Sequence, residues 1–302
     1  MARIAITGGT GFVGRHTAGA LLDAGHEVRM VARGTRKPPR LEGVEVVRGD
    51  VAGGRGLGET LDGCDAVVNL VAIIRERGSQ TFERVNAEGA RQVAETAHAA
   101  GARHLVHISA LGADPDPRYA YLWSKWQGEQ HVRASGIPFT ILRPSLVFGP
   151  GDGFFVQLAR MVRLPAPIPV AGDGRTVFQP IAIGDLTRII VRCVEGGLAG
   201  DPAVIDRVFE VGGPAELSYD AIIDIIKGQL GVGFPRVKVH IPMRAMVPIA
   251  TVMNAVLPNA PVTPAQLRML EKNNVTTPAA VRTAFGFEPL SFKENCEYLR
   301  EL

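Results

Sequence analysis

The chain has 302 residues, 46% of them hydrophobic and 21% charged, a balance that excludes a disordered chain and suits one large core or two unequal lobes. A formal charge of +3, spread along the sequence, leaves no nucleic-acid footprint, so no nucleic-acid partner is expected. Cys64, Cys193 and Cys296 are far apart and odd in number, which argues against a disulfide framework or a zinc spacing; no metal site is expected.

The first sixteen residues, MARIAITGGTGFVGRH, run straight into a strand pattern over Arg3 to Thr7 and then a glycine-rich turn. They lack the basic, apolar, small-residue order of a signal peptide, and no apolar run reaches the roughly 18 residues of a spanning helix, so a cytoplasmic location is expected. The turn reads either as Gly9-x-Gly11-x-x-Gly14 or as Gly8-x-x-Gly11-x-x-Gly14. Both place the same demand on the backbone: a sharp turn from strand to helix, close approach to a pyrophosphate, and tight packing of helix on strand. The helix N-terminus then offers N–H groups and a positive dipole end to phosphate. Thr7, Gly8, Gly11, Phe12, Val13 and Gly14 are therefore candidate nucleotide contacts.

A second strand over Glu27 to Ala32 ends in Arg33, with Arg36, Lys37 and Arg40 following. An NAD site usually carries a carboxylate there for the ribose 2′-OH; guanidinium groups suit a 2′-phosphate, which favours NADP(H) over NAD(H). The third strand, Val44 to Arg48, leads to Asp50 and Val51. Asp50 is placed to accept from an adenine amino group or to serve as a turn aspartate. The fourth, Ala66 to Ala72, ends in Leu70, Val71 and Ala72, further candidate nucleotide contacts. The segment TFERVNAEGARQVAETAHAAGA has helical spacing and contains Asn86.

The fifth strand, His104 to Ala110, holds Ser109 at a strand-to-helix junction, the edge where open α/β sheets keep their ligands. His104 and His107 are three apart on that strand, point to opposite faces and cannot share a metal; both read as structural. YLWSK sets Tyr121 and Lys125 four apart on one helix face. A tyrosine exchanges protons near neutral pH only if a cation lowers its pKa, and Lys125 is placed to supply the charge. The sixth strand spans Phe139 to Leu142. Alternating strands and helices imply right-handed crossovers and a doubly wound parallel sheet.

After Gly149 the pattern breaks into Pro/Gly-rich pieces. The division expected is a nucleotide-binding domain over 1–150, rejoined by a strand and helix at about 176–195, and a smaller mixed α/β region over 151–175 and 196–302 that holds the substrate or a partner. Arg143, Phe148 and Gln179 are placed to line a substrate pocket. Ser218 is expected to cap one helix, and Thr263-Pro264-Ala265-Gln266 to form a capping box on another. The stretch from Ile241 to Pro258 is apolar, Met-rich and broken by Pro248; it covers a core or pocket, or meets a membrane surface or partner.

TGGTGFVG, GDV, VNAEG, HIS and YLWSK, in this order, resemble the short-chain dehydrogenase/reductase superfamily, and RPSLVFGPGDGF, FQPIAIGDL and FEVGGPAELSY resemble its extended and atypical members. PNAPVTPAQLRMLEKNNV tilts the resemblance toward the atypical branch containing the NADPH-binding accessory subunit of respiratory complex I. The resemblance implies a Rossmann fold, with Gly8, Gly11 and Gly14 on the pyrophosphate, Arg33 on the 2′-phosphate and Asp50 on the adenine. It implies Tyr121 as proton donor or acceptor, Lys125 as its pKa partner and ribose ligand, Ser109 as stabiliser of a substrate oxygen, and Asn86 as support for the lysine and a water. NLVAII departs from the family's usual sequence after the fourth strand, so the support of the nicotinamide pocket there stays open. The activities implied are an NADP(H)-dependent oxidoreductase acting on a carbonyl or alcohol, quinone-related compounds included, or a sugar-nucleotide epimerase or dehydratase. A non-catalytic accessory or assembly subunit of a complex I-type enzyme, peripheral to the inner membrane, is the alternative.

Overall fold

Runs of β-branched and aliphatic residues become strands, and the helically spaced segments between them become the covering helices. In a computed structural model, described for residues 1–34, 42–232, 237–256 and 262–302, the chain order begins β1 (Arg3–Thr7), α1 (Phe12–Asp23), β2 (Glu27–Ala32), β3 (Val44–Arg48), α2 (Leu57–Leu61) and β4 (Ala66–Asn69). A single wide turn at Glu83–Ala87 leads into α3 (Glu88–Ala99), followed by β5 (His104–Ile108), α4 (Ala120–Ala134) and β6 (Phe139–Pro144). Then come β7 (Val147–Phe148), α5 (Phe154–Arg163), β8 (Ile168–Ala171), β9 (Val177–Phe178), β10 (Ile181–Ala182), α6 (Ile183–Ala199) and β11 (Arg207–Val211). The chain continues through β12 (Leu217–Ser218), α7 (Tyr219–Leu230), β13 (Lys238–Ile241), α8 (Met243–Val256), α9 (Pro264–Met269) and α10 (Ala280–Phe285).

Two units result, Met1–Pro144 with Ile183–Glu210, and Ser145–Ala182 with Val211–Leu302. The first holds a sheet in the order β11-β6-β5-β4-β1-β2-β3, in which β1–β2, β2–β3, β1–β4, β4–β5 and β5–β6 pair in parallel. Strand order reverses between β1 and β4, so the carboxyl ends of these two strands flank the crevice where such sheets bind ligands. Ala5, Val67, Leu105 and Ile141 pack one sheet face against Val93 and Ala97 of α3 and Val132 of α4. Each such side chain removed from water stabilises the fold by about 1.5–3 kcal/mol. The opposite face is shared by α1 and α6, where Gly197 packs on the ring of His104; His104 Nε2 lies 2.9 Å from Thr140 Oγ1. β4 stops three residues short of the apolar run that suggests it, because the Asn69 side chain accepts from Val71 N at 3.3 Å and turns the chain.

The second unit packs α5 and α7 around Phe148, Phe155, Phe292, Ile222, Ile223 and Ile226. Both helix starts legible in the sequence are present: Ser218 Oγ accepts from Ala221 N at 3.1 Å, and Thr263 and Gln266 form a reciprocal capping box. Pro248 sits inside α8, whose inner side buries Ala250 with Leu267 of α9. Ile249, Val252 and Val256 are exposed, and Leu257 and Pro258 lie outside the described residues. Among the described residues no helix is long and apolar enough to cross a membrane, and no cluster of His, Cys, Asp or Glu is arranged to hold a metal.

Candidate active site

The turn after β1 depends on its glycines. Gly8 has φ +76°, and a Cβ there would lie 2.9 Å from Leu70 C and Val71 N, so the turn rests on the backbone leaving β4. A Cβ on Gly14 would overlap Gly8 O and Gly9 Cα, so only glycine lets α1 start this close to the turn. The α1 N-cap is Gly11, which has no side chain to satisfy the first-turn N–H groups of Phe12, Val13 and Gly14, and that turn carries no acidic residue. Uncapped N–H groups, a positive dipole end and the absence of carboxylate fit a pyrophosphate.

The remaining nucleotide candidates stand along the same carboxyl edge. Thr7 is buried and its hydroxyl donates to Asn69 Oδ1 at 2.7 Å. Leu70 N donates to Thr7 O at 3.0 Å; Leu70 and Val71 are half-buried and Ala72 is exposed. Arg33 is exposed, with Nη1 donating to Gln80 Oε1 at 2.9 Å, whereas Arg36, Lys37 and Arg40 lie outside the described residues. Asp50 Oδ1 accepts from Ala52 N at 3.2 Å, a local turn bond, and Oδ2 lies 3.7 Å from Arg55 Nη2. Val51 is buried beside Gly89 of α3.

Tyr121 and Lys125 are buried one turn apart on α4, and Glu129 continues the same helical stripe. Lys125 Nζ donates to Ile108 O at 2.7 Å, tying α4 to the end of β5. Burial lowers the Lys125 pKa to about 8, partly opposed by Glu129. Burial pushes the Tyr121 hydroxyl up to about 12, and its ring stacks edge-on to Phe82 at 5.9 Å.

Ser109 donates its hydroxyl to Glu129 Oε1 at 2.6 Å. Glu129 is fully buried and also accepts two bonds from Arg143, Nε at 2.8 Å and Nη2 at 2.7 Å, a bidentate pair. Asn86 sits in the wide turn before α3, a distortion that recurs at functional sites. Its Oδ1 accepts from Ile73 N at 2.8 Å, while Nδ2 donates to Ile73 O at 3.1 Å and Ser124 Oγ at 3.0 Å. Asn86 thus links the loop after β4 to α4.

Arg143, placed by its sequence position at a pocket, belongs to the first unit and is engaged by Glu129. Phe148 and Gln179 belong to the second. Phe148 is 2% exposed, with ring centroids 5.2 Å from Phe292 and 6.3 Å from Phe155. Gln179 is fully buried; Oε1 accepts from Thr276 N at 2.6 Å, and Nε2 has no hydrogen-bond partner among the described residues. Sequence reasoning passed over Glu129 and Asn69. The first shows itself as the third member of a Tyr-x-x-x-Lys-x-x-x-Glu stripe, and the second as a polar residue closing an apolar strand.

The chain is similar to several known proteins. The chain is 40% identical over 168 residues to the ceramide reductase of Caulobacter vibrioides, covering 54% of this chain and 53% of that protein. It is 27% identical over 233 residues to the Arabidopsis thaliana mitochondrial NADH dehydrogenase [ubiquinone] 1 alpha subcomplex subunit 9, covering 72% and 57%. The chain spans little more than half the length of these two curated relatives. Its fold matches the crystal structure of Bordetella bronchiseptica WbmH in complex with NAD+, with a TM-score of 0.73 and 18% identity over 100% of this chain and 99% of that one. A family model matches residues 4–212, and the chain belongs to the NAD dependent epimerase/dehydratase family.

Proposed function

We propose that this protein is an NADP(H)-dependent oxidoreductase that reduces a small carbonyl or oxidises the corresponding alcohol. The observation that carries this reading is the buried Tyr121–Lys125 pair on α4, held at the carboxyl edge of the sheet by the Lys125 bond to Ile108 O. A bound nicotinamide supplies or accepts a hydride. Gly8, Gly11, Phe12, Val13 and Gly14 would hold the pyrophosphate, Arg33 the 2′-phosphate, Asp50 and Val51 the adenine side, and Leu70, Val71 and Ala72 the chain wall beside it. Tyr121 donates a proton to the substrate oxygen on reduction and takes it back on oxidation. Proton transfer by a positioned group contributes about 10²–10⁴-fold.

A hydroxyl pushed up to about 12 is a poor proton source, so the reading requires the Lys125 ammonium to turn from Ile108 O toward Tyr121 and the nicotinamide ribose when the site is loaded. Ser109 must likewise release Glu129 before it can donate to a substrate oxygen. Glu129 has both Arg143 bonds besides the one from Ser109, so its charge stays matched without the serine.

Calorimetric titration with NADPH and NADH, followed by turnover with the accepted nucleotide over a panel of carbonyls, tests the proposal. Arg33→Ala is expected to weaken NADPH binding about tenfold and leave NADH binding nearly unchanged; equal losses would remove the 2′-phosphate assignment. Tyr121→Phe is expected to lower kcat by about 10² or more at unchanged nucleotide affinity, and unaltered kcat would take Tyr121 out of the mechanism.

A second reading, an accessory subunit of a complex I-type enzyme, is favoured by the similarity to the Arabidopsis subunit and by exposed Ile249, Val252 and Val256 on α8. It predicts NADPH binding without turnover, and co-purification with quinone-reductase subunits from detergent-solubilised membranes that is lost in Val252→Asp.

A further inference from the structure

Three adjacent strands of the first unit each carry a buried polar residue at one level of the sheet. Thr7 on β1 is the register partner of Asn69 on β4, and Asn69 that of His107 on β5. None of the three is more than 1% exposed. Two positions earlier on the same strands, Ala5, Val67 and Leu105 pack beneath α3 and α4, so the polar rung tops that core on the helix-covered face.

The hydrogen bonds determine the state of the histidine. Asn69 Oδ1 accepts from Thr7 Oγ1 at 2.7 Å and from Val71 N at 3.3 Å, which turns Nδ2 toward His107 Nδ1, 3.1 Å away. An amide nitrogen only donates, so Nδ1 accepts and the neutral ring carries its proton on Nε2. Burial and the nearby Lys125 charge keep the ring neutral. His107 Nε2 has no hydrogen-bond partner among the described residues, a cost that an apolar residue at this position would avoid.

The rung clamps the chain leaving β4 from below. From above, Gly8 rests on that same backbone, where a Cβ would come within 2.9 Å of Leu70 C and Val71 N. On the neighbouring strand the residue after His107, Ile108, takes the Lys125 ammonium on its carbonyl. We propose that His107 is a positioning residue for the dinucleotide, acting through Asn69 to hold the β4 exit against the pyrophosphate turn. The inference rests on the dinucleotide reading.

NADPH affinity and thermal midpoint are measured on the full chain for wild type, His107→Leu and His107→Gln, with the ring proton located by long-range ¹H–¹⁵N correlation in wild type. His107→Leu is expected to lose about tenfold in affinity, the equivalent of one well-placed hydrogen bond, with a midpoint equal to or above wild type. His107→Gln, whose Oε1 can accept from Asn69, is expected to recover most of that loss. A role in stability alone would move the midpoint and leave the affinity of the folded protein unchanged, overturning the proposal. A wild-type ring proton on Nδ1 would overturn it as well. Should His107→Leu not fold, retained affinity in His107→Gln together with an Nε2–H ring whose resonances shift on NADPH addition supports the role, and unshifted resonances remove it. Failure of wild type to bind either nucleotide removes the dinucleotide reading and this role together, whereas equal binding by wild type and His107→Leu removes the role alone.

Discussion

Lys125 is a full charge placed where an apolar residue would be cheaper. Its folded pKa is about 8 against an ordinary 10.5, with burial the larger cause. Between these values the unfolded chain binds more protons than the folded one, so this residue's contribution makes stability rise with pH through that window, and below it the burden is full. Lys125→Met is therefore expected to stabilise the fold at pH 7, by up to about 3 kcal/mol less the lost bond to Ile108 O, and to abolish turnover. The variant's advantage over wild type should shrink as pH rises from 8 to 10.5, measured by urea unfolding of both proteins at each pH. No stability gain at pH 7 would mean that the ammonium is better solvated than its burial implies. Glu129 illustrates the opposite economy: its carboxylate is fully buried but meets Ser109 and both arms of Arg143, so its charge is matched.

At the scale of elements, α1 depends on a contact that no side chain tolerates. A Cβ on Gly14 would overlap the Gly8 carbonyl and Gly9 Cα, both backbone atoms that cannot swing away. Gly14→Ala is expected to displace the start of α1, costing about 1–3 kcal/mol of stability and about tenfold or more in NADPH affinity. Urea unfolding with parallel titration checks both, and a normal affinity would show that the pyrophosphate does not sit on this turn. The glycine pattern, the capping box on α9 and the Ser218 cap of α7 were legible because each is a local rule with few residue types that satisfy it. The end of β4 was not. An apolar run through Ala72 looks like a continuing strand, and only the Asn69 side chain reaching Val71 N stops it.

For the whole molecule, the first unit is discontinuous, and this has a testable consequence. α6 returns from residue 183 to pack on α1 and β5, burying Ile189, Ile190 and Val194 completely, and β11 extends the sheet beside β6. Each of those three side chains is worth about 1.5–3 kcal/mol, comparable in sum to the net stability of about 5–15 kcal/mol of a typical domain. A chain ending at residue 150 is thus expected to aggregate or lack near-ultraviolet circular dichroism; a soluble, cooperatively unfolding fragment would show that α6 is dispensable.

From the sequence by itself follow the doubly wound sheet, the glycine-rich turn between β1 and α1, and the placing of Tyr121 and Lys125 on one helix face. Each rests on spacing within a single element, which periodicity and chirality transmit directly to the backbone. Only the tertiary structure decided what those side chains touch. Ser109 gives its proton to Glu129, twenty residues on, Lys125 reaches back to Ile108 O, and Thr7, Asn69 and His107 align across three strands. These pairings depend on strand order and register, set by burial of the whole sheet rather than by any local preference, and so they leave no mark within a short stretch of sequence.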